Sequence, residues 1–401
     1  MLCITGILRI LIITPDIYPF ERGYGGRITM LLDDGFKNLG CDVDIISSVP
    51  DNENTETAEK KYKIKFIKLY NTKNSTFKYF MPLHFRDFIQ LKKFFNENLK
   101  SYDLIILNDY LWSMSLTALI LIKKMYKKKV MLINHGIMYY NKNKILFIIS
   151  KIVNKAISNI FLRNIGGILS FSNNSNEELL KIFKYNIKRT VLPFCLDENK
   201  IKLAYKKSID MNNNVLNKFK NVFNTNNFIF SISSISYHKG FHVMLEAAGM
   251  LLTNGYNFDV VIAGKKNDDY IVILNEIIKK YNIENKVHFI GEIDDIEKFV
   301  LLRLCKIYVI PSLNEGFGVG AEEAMLLNIR TIATDTGAHK DMLGNIYYDF
   351  IVKPGDINEL KNAIENSIKS NIIIDPILNE KRLNKLSCHH LCFEILKFME
   401  N

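Results

Sequence analysis

Residues 310–324 read Ile-Pro-Ser-Leu-Asn-Glu-Gly-Phe-Gly-Val-Gly-Ala-Glu-Glu-Ala. An apolar run over residues 306–310 passes into a loop punctuated by Pro311, Gly316 and Gly318, and a helix is expected from near Val319. The first turn of a helix has N–H groups without intrahelical partners and a partial positive charge, a natural seat for phosphate. Glu315 stands in the loop before that seat, and Glu323 lies eight residues later, on the helix itself. Carboxylates so placed can accept hydrogen bonds from hydroxyl groups. The stretch therefore suits a ligand that offers both phosphate and sugar hydroxyls, the nucleotide sugars among them. The plain alternative is a surface turn whose glycines only shape the backbone.

Working outward, short apolar runs alternate with amphipathic helical stretches. Strands are expected at residues 10–14, 43–47, 104–107, 130–134 and 167–172, then at 228–233, 259–263, 287–290, 307–310 and 331–334. This rhythm points to an α/β chain with parallel sheets covered by helices. The series occurs twice, so two Rossmann-like domains are expected, 1–197 and 198–380, followed by a terminal helix over 381–401. The polar stretch 197–227, rich in Asn and Lys, reads as the boundary.

In parallel sheets ligands collect beyond the C-terminal ends of strands, and three further motifs sit there. Residues 18–26 precede a helix expected at 28–39, and Gly25 and Gly26 would let backbone approach phosphate or acceptor. Asn134-His135-Gly136 ends a strand; a lone His is commonly structural, but this position suits a ligand contact. His238-Lys239-Gly240 precedes another helix, and Lys239 can supply a point charge to a diphosphate.

The chain has 401 residues, 48% of them hydrophobic, enough for two substantial cores. Six Cys without a Cys-x-x-Cys pair fit a reducing compartment. No apolar run reaches bilayer-spanning length, and residues 1–14 carry Arg9 and lack a basic leader, so they read as a first strand and the location as cytoplasmic. The net charge of +11 is uneven: residues 1–197 hold 29 Lys and Arg against 17 Asp and Glu, the remainder 24 against 25. The excess is densest at 123–129 and 181–189. It suits an anionic acceptor or the anionic inner face of a membrane, or it is a solvated Lys-rich surface. No nucleic-acid-binding module is visible, so no nucleic-acid partner is expected. Asp42-Val-Asp44 and Cys388-His-His-Leu-Cys392 have metal-ligand residue types. The first opens a strand, and the four side chains of the second cannot share one helix face, so no metal is expected.

The spacing of residues 315–324 resembles the EGFG-x4-EA motif of retaining glycosyltransferases of family 4, which have the GT-B fold. Over residues 230–365 further segments resemble that family in order. Residues 261–264 look like the strand ending below the donor, and 287–291 like the segment whose backbone meets the nucleobase. Residues 334–341 look like the Gly-Gly-x-x-Glu turn, with Asp341 for Glu, and 352–356 like its Pro-Gly-Asp helix start. The loop at Gly25 and Gly26 and the His-Gly at His135 match more loosely.

The resemblance implies two domains facing across a cleft, with a last helix crossing back onto the first. It implies Glu323 on the ribose hydroxyls, Glu315 on the sugar hydroxyls, and Lys239 with backbone N–H groups around Phe317–Val319 on the departing diphosphate. Gly25, Gly26, Ser234, Gly264, Ile290, Gly316 and Gly318 would complete the donor site, with His135 near the reacting sugar. It further implies transfer of a hexose from a UDP- or GDP-sugar to a glycan, lipid-linked or other hydroxyl acceptor, as in polysaccharide biosynthesis. Configuration would be retained without metal or other cofactor, the leaving phosphate taking the acceptor's proton. Two departures stand out. The family pattern Gly-Arg-x4-Lys-Gly has Ser234 at the Arg position, and residues 193–197 read Pro-Phe-Cys-Leu-Asp where Pro-Asn-Gly-Val-Asp is common. Ser234 keeps open a non-catalytic nucleotide-sugar binder, and a sugar-nucleotide epimerase of related fold is the other alternative.

Overall fold

Strands covered on both faces need unbroken apolar runs, and β1 (Arg9–Thr14), β4 (Leu104–Asn108), β5 (Val130–Asn134) and β6 (Gly167–Ser170) supply them, buried at every residue except Arg9. In the computed structural model they join β2 (Asp42–Pro50), β3 (Ile64–Leu69) and β7 (Lys188–Val191) in a seven-stranded sheet of order β3-β2-β1-β4-β5-β6-β7. The structure describes residues 7–14, 24–50, 56, 59, 64–69, 85–108, 113–122, 129–135, 152, 155–156, 159, 162, 165–183, 186–225, 227–315, 317–343, 350–369 and 386–400.

The second sheet has six strands: β8 (Phe228–Ile232), β9 (Asp259–Ala263), β10 (Val287–Gly291), β11 (Ile307–Ile310), β12 (Thr331–Thr334) and β13 (Ile351–Val352), in the order β10-β9-β8-β11-β12-β13. Its pairings are all parallel. From β8 the chain winds outward to β10, then returns to lay β11 on the other side of β8. That reversal makes the loops after β8 and β11 neighbours, and such a switch point is where open α/β sheets hold ligands. Two parallel α/β sheets of this kind make the GT-B fold.

The chain divides into two compact units, Met1–Cys195 with Lys385–Asn401, and Leu196–Asn384. The last helix, α13 (Cys388–Glu400), returns to the first unit and lies on α1 (Tyr24–Asn38). Gly35 is the contact: a Cβ there would lie 2.6 Å from Cys392 Sγ and 2.8 Å from the Cys388 carbonyl oxygen. Leu391, Cys392, Ile395 and Leu396 are the buried face of α13.

Two local readings change. The stretch 197–227 contains helices α5 (Glu198–Asp210) and α6 (Asn212–Phe219), where composition suggested only a polar boundary. Ile201, Val215 and Phe219 are buried among the Asn and Lys, and α5 packs on α9 (Asp295–Leu304), whose Asp294–Glu297 capping box fixes its start. Helix α1 begins at Tyr24, so Gly25 and Gly26 lie in its first turn instead of in a preceding loop. A first turn still has N–H groups with no intrahelical acceptor, which keeps this position suited to an anion. Asp42 and Asp44 both pair with Arg9, at 3.3 and 3.0 Å, and so brace the start of β2.

Candidate active site

Three loops of the second unit converge beyond the strand ends. After β8 the chain makes a 3-10 turn at Tyr237–Lys239 and enters α7 (Phe241–Thr253) through Gly240, whose φ is 69°. Gly240 presses on the loop after β11 so closely that a Cβ would sit 1.9 Å from the Pro311 carbonyl oxygen. Leu313 N–H donates to the His238 carbonyl at 2.8 Å, pinning the two loops together. The loop after β12 is tied in by Thr334 Oγ1, which donates to the Ser312 carbonyl at 2.6 Å, and by Ala338 N–H, which donates to the Phe317 carbonyl at 2.9 Å.

This convergence brings Lys239 Nζ to 2.6 Å from Glu315 Oε1, with the two side chains only 18% and 14% exposed. Ser312 Oγ donates to the same oxygen at 2.7 Å. Burial alone would raise the Glu315 carboxyl, but the charge and hydrogen bond of Lys239, aided by His339 and Ser312, hold it below its ordinary value. His238, on the same turn, has its pKa lowered by burial and by Lys239. Phe317 and Val319 are buried at the entry to α10 (Val319–Leu326), and Gly318 between them has φ 102°. Gly316 lies outside the described residues, as do Gly136, residues 15–23 and most of the basic stretch 123–129.

Glu323, one turn into α10, is 6% exposed. Its Oε2 accepts from Lys298 Nζ at 3.0 Å, and the same ammonium lies 3.2 Å from Asp295 and over the Phe299 ring. Ser234 is on the loop after β8, its hydroxyl 3.5 Å from that of Ser236. Gly264 directly follows β9 against the Ser233 carbonyl, and Ile290 lies in β10. Lys239, Ser234, Glu315, Phe317, Gly318, Val319, Glu323 and Gly264 thus all occupy or follow C-terminal strand ends of one sheet.

His135 belongs to the first unit, directly after β5. Its Nε2 lies 2.5 Å from Asn108 Oδ1, while the Asn108 amide donates to Thr29 Oγ1 at 2.9 Å and Thr14 Oγ1 at 3.3 Å. The amide oxygen therefore receives the imidazole N–H, which assigns the proton to Nε2 and the lone pair to Nδ1. Burial pushes the His135 pKa down to about 4. At neutral pH this side chain is an acceptor, not an acid.

Sequence reading did not single out Ser312, Lys298, Asn108 or His339. His339 sits in the quoted turn 334–341 and Ser312 in the quoted stretch 310–324, so both were in view without a pattern to mark them. Lys298 has no motif around it; only its place one turn into α9 brings it to Glu323.

Among solved structures, the glycosyltransferase from Rickettsia africae ESF-5 superposes with a TM-score of 0.72 at 18% identity, over 98% of both chains. Among curated proteins, Protein CapJ of Staphylococcus aureus is 32% identical over 136 residues, 33% of each chain. The O-antigen chain mannosyltransferase RfbU of Salmonella typhimurium is 25% identical over 185 residues, 45% of this chain and 48% of that one. The alignments thus span half or less of these relatives. Residues 214–384, which hold every second-unit residue of the candidate site, match the model of the family described as Glycosyl transferases group 1.

Proposed function

We propose that the protein is a retaining glycosyltransferase of the family-4 type, moving a hexose from a UDP- or GDP-sugar to a hydroxyl acceptor in polysaccharide assembly. The observation that carries this reading is the Lys239–Glu315 pair at the switch point, beside the start of α10. The match to Glycosyl transferases group 1 over the same residues supports it, and the mannosyltransferase RfbU makes mannose the first sugar to try.

In this reading Glu323 holds the ribose hydroxyls and Glu315 those of the sugar. Lys239 and the N–H groups at Phe317–Val319 receive the diphosphate. The bond from the anomeric carbon to the phosphate oxygen breaks through an oxocarbenium-like state, so stabilising the leaving group lowers the barrier directly. The acceptor oxygen bonds to the anomeric carbon from the same face, and its proton passes to the leaving phosphate. His135, held neutral with Nδ1 as acceptor, receives a hydroxyl of donor or acceptor. The basic first unit approaches an anionic acceptor or membrane surface.

The test is turnover with UDP- and GDP-sugars on glycan and lipid-linked acceptors, with the anomer of the product read by NMR. Retention, unaffected by EDTA and lost in Glu315→Ala, supports the reading. Inversion, or conversion of the donor to an epimer without acceptor, overturns it.

A further inference from the structure

A third ionisable group lies beside the Lys239–Glu315 pair. His339 opens α11 (His339–Leu343) and is fully buried. Its Nδ1 lies 2.9 Å from the Thr334 carbonyl oxygen, and only an N–H can make that bond. The neutral ring therefore has its lone pair on Nε2, which has no hydrogen-bond partner among the described residues. That nitrogen faces the loop leading into α10: a Cβ on Gly318 would lie 2.1 Å from it. Such an orphaned buried acceptor calls for an explanation.

The charges around it give one. Burial disfavours the imidazolium and Lys239 opposes it, while Glu315, the Thr334 carbonyl and Asp335 favour it. Glu315 comes from the loop after β11, Lys239 from the loop after β8, and Asp335, paired with Lys340 at 3.5 Å, from the loop after β12. Helix α10 brings buried Glu322 and the Lys298-bound Glu323, and α11 itself carries Lys340 and Asp341. Strands β12 and β13 contribute no ionisable side chain.

An arriving diphosphate competes with Glu315 for Lys239. Once Lys239 turns to phosphate, a largely buried carboxylate is left without its cation, which is strongly unfavourable. His339, whose cation Glu315 favours and whose Nε2 has no hydrogen-bond partner among the described residues, is a group able to become that cation. We propose that binding of a nucleotide sugar draws one proton from solvent onto His339 Nε2, so that His339 replaces Lys239 as the partner of the Glu315 loop. His339 is then a positioning residue that releases Lys239 for the leaving group. This rests on the donor-site reading given above.

Calorimetric titration with UDP-glucose and GDP-mannose, whose diphosphates carry no titratable proton near neutrality, tests it in two buffers of different ionisation heat. The wild-type protein is expected to take up about one proton per bound nucleotide sugar, and His339→Asn none. On wild-type protein labelled with nitrogen-15 in histidine, the His339 ring is expected to pass from the Nδ1–H tautomer to imidazolium on saturation. Binding with buffer-independent heat, equal uptake in His339→Asn, or a neutral ring in the complex overturns the proposal while leaving the donor reading intact. No binding of either nucleotide sugar overturns both.

Discussion

Lys239 Nζ lies 2.6 Å from Glu315 Oε1, bridging the two loops that flank the switch point between β8 and β11. The pair joins two roles. It ties the two loops together, and in the proposed function it holds ready the cation that a leaving diphosphate needs. Lys239→Met should lower kcat by roughly 10²–10³-fold, the usual effect of removing one electrostatic stabiliser of a developing anion. Glu315→Gln should lower it by a similar factor while weakening stability by roughly 1–3 kcal/mol, because the buried Lys239 loses its partner. Steady-state kinetics and denaturant melts of both variants separate the two effects.

Glu323 and Lys298 form the second pair, 3.0 Å apart and nearly buried. If Glu323 holds ribose, Glu323→Gln raises KM for the nucleotide sugar by about tenfold, the value of one charged hydrogen bond, with a smaller change in kcat. Lys298→Met, which frees Glu323 from its tether, moves KM in the same direction. An effect on kcat alone in either variant would place these residues elsewhere in the reaction.

Much of this was legible in advance, and particular residues show why. The alternation of apolar runs and helices marks the strands because buried parallel strands such as Val130–Asn134 are apolar up to their last residue. Glu315, Gly318 and Glu323 were legible because their spacing reflects a local need, a turn and a helix start. Lys298 and His339 were not, since their partners lie 25 and 5 residues away and are brought close only by packing. The Asn-rich stretch over α5 and α6 hid its helices because only a few buried residues, among them Ile201, Val215 and Phe219, carry the pattern.

His135 makes stability depend on pH in a stated direction. Its pKa falls from 6.5 to about 4 on folding, so the unfolded chain binds more protons between those values. Its contribution is fully present above the unfolded value and is lost as pH falls from 6.5 toward 4. Urea unfolding across that window should show wild-type stability declining on acidification, and His135→Gln should remove about 2–3 kcal/mol of the decline. An identical slope in the variant would show that His135 is not buried neutral.

Gly35 should be intolerant of any side chain. Gly35→Ala places a methyl 2.6 Å from Cys392 Sγ and 2.8 Å from the Cys388 carbonyl, so α13 must shift off α1. Overpacking of this kind costs roughly 1–3 kcal/mol. Hydrogen exchange should show faster opening over residues 388–400, with the second unit unchanged.

The most direct measurement compares how tightly wild type and Lys239→Met bind a nucleotide sugar, its nucleoside diphosphate, and the nucleoside alone. Lys239 is assigned to phosphate, so the variant should lose affinity for the first two by about tenfold or more while binding the nucleoside as before. Equal affinity of the two proteins for the nucleotide sugar, or no binding of it by wild type, would contradict the account.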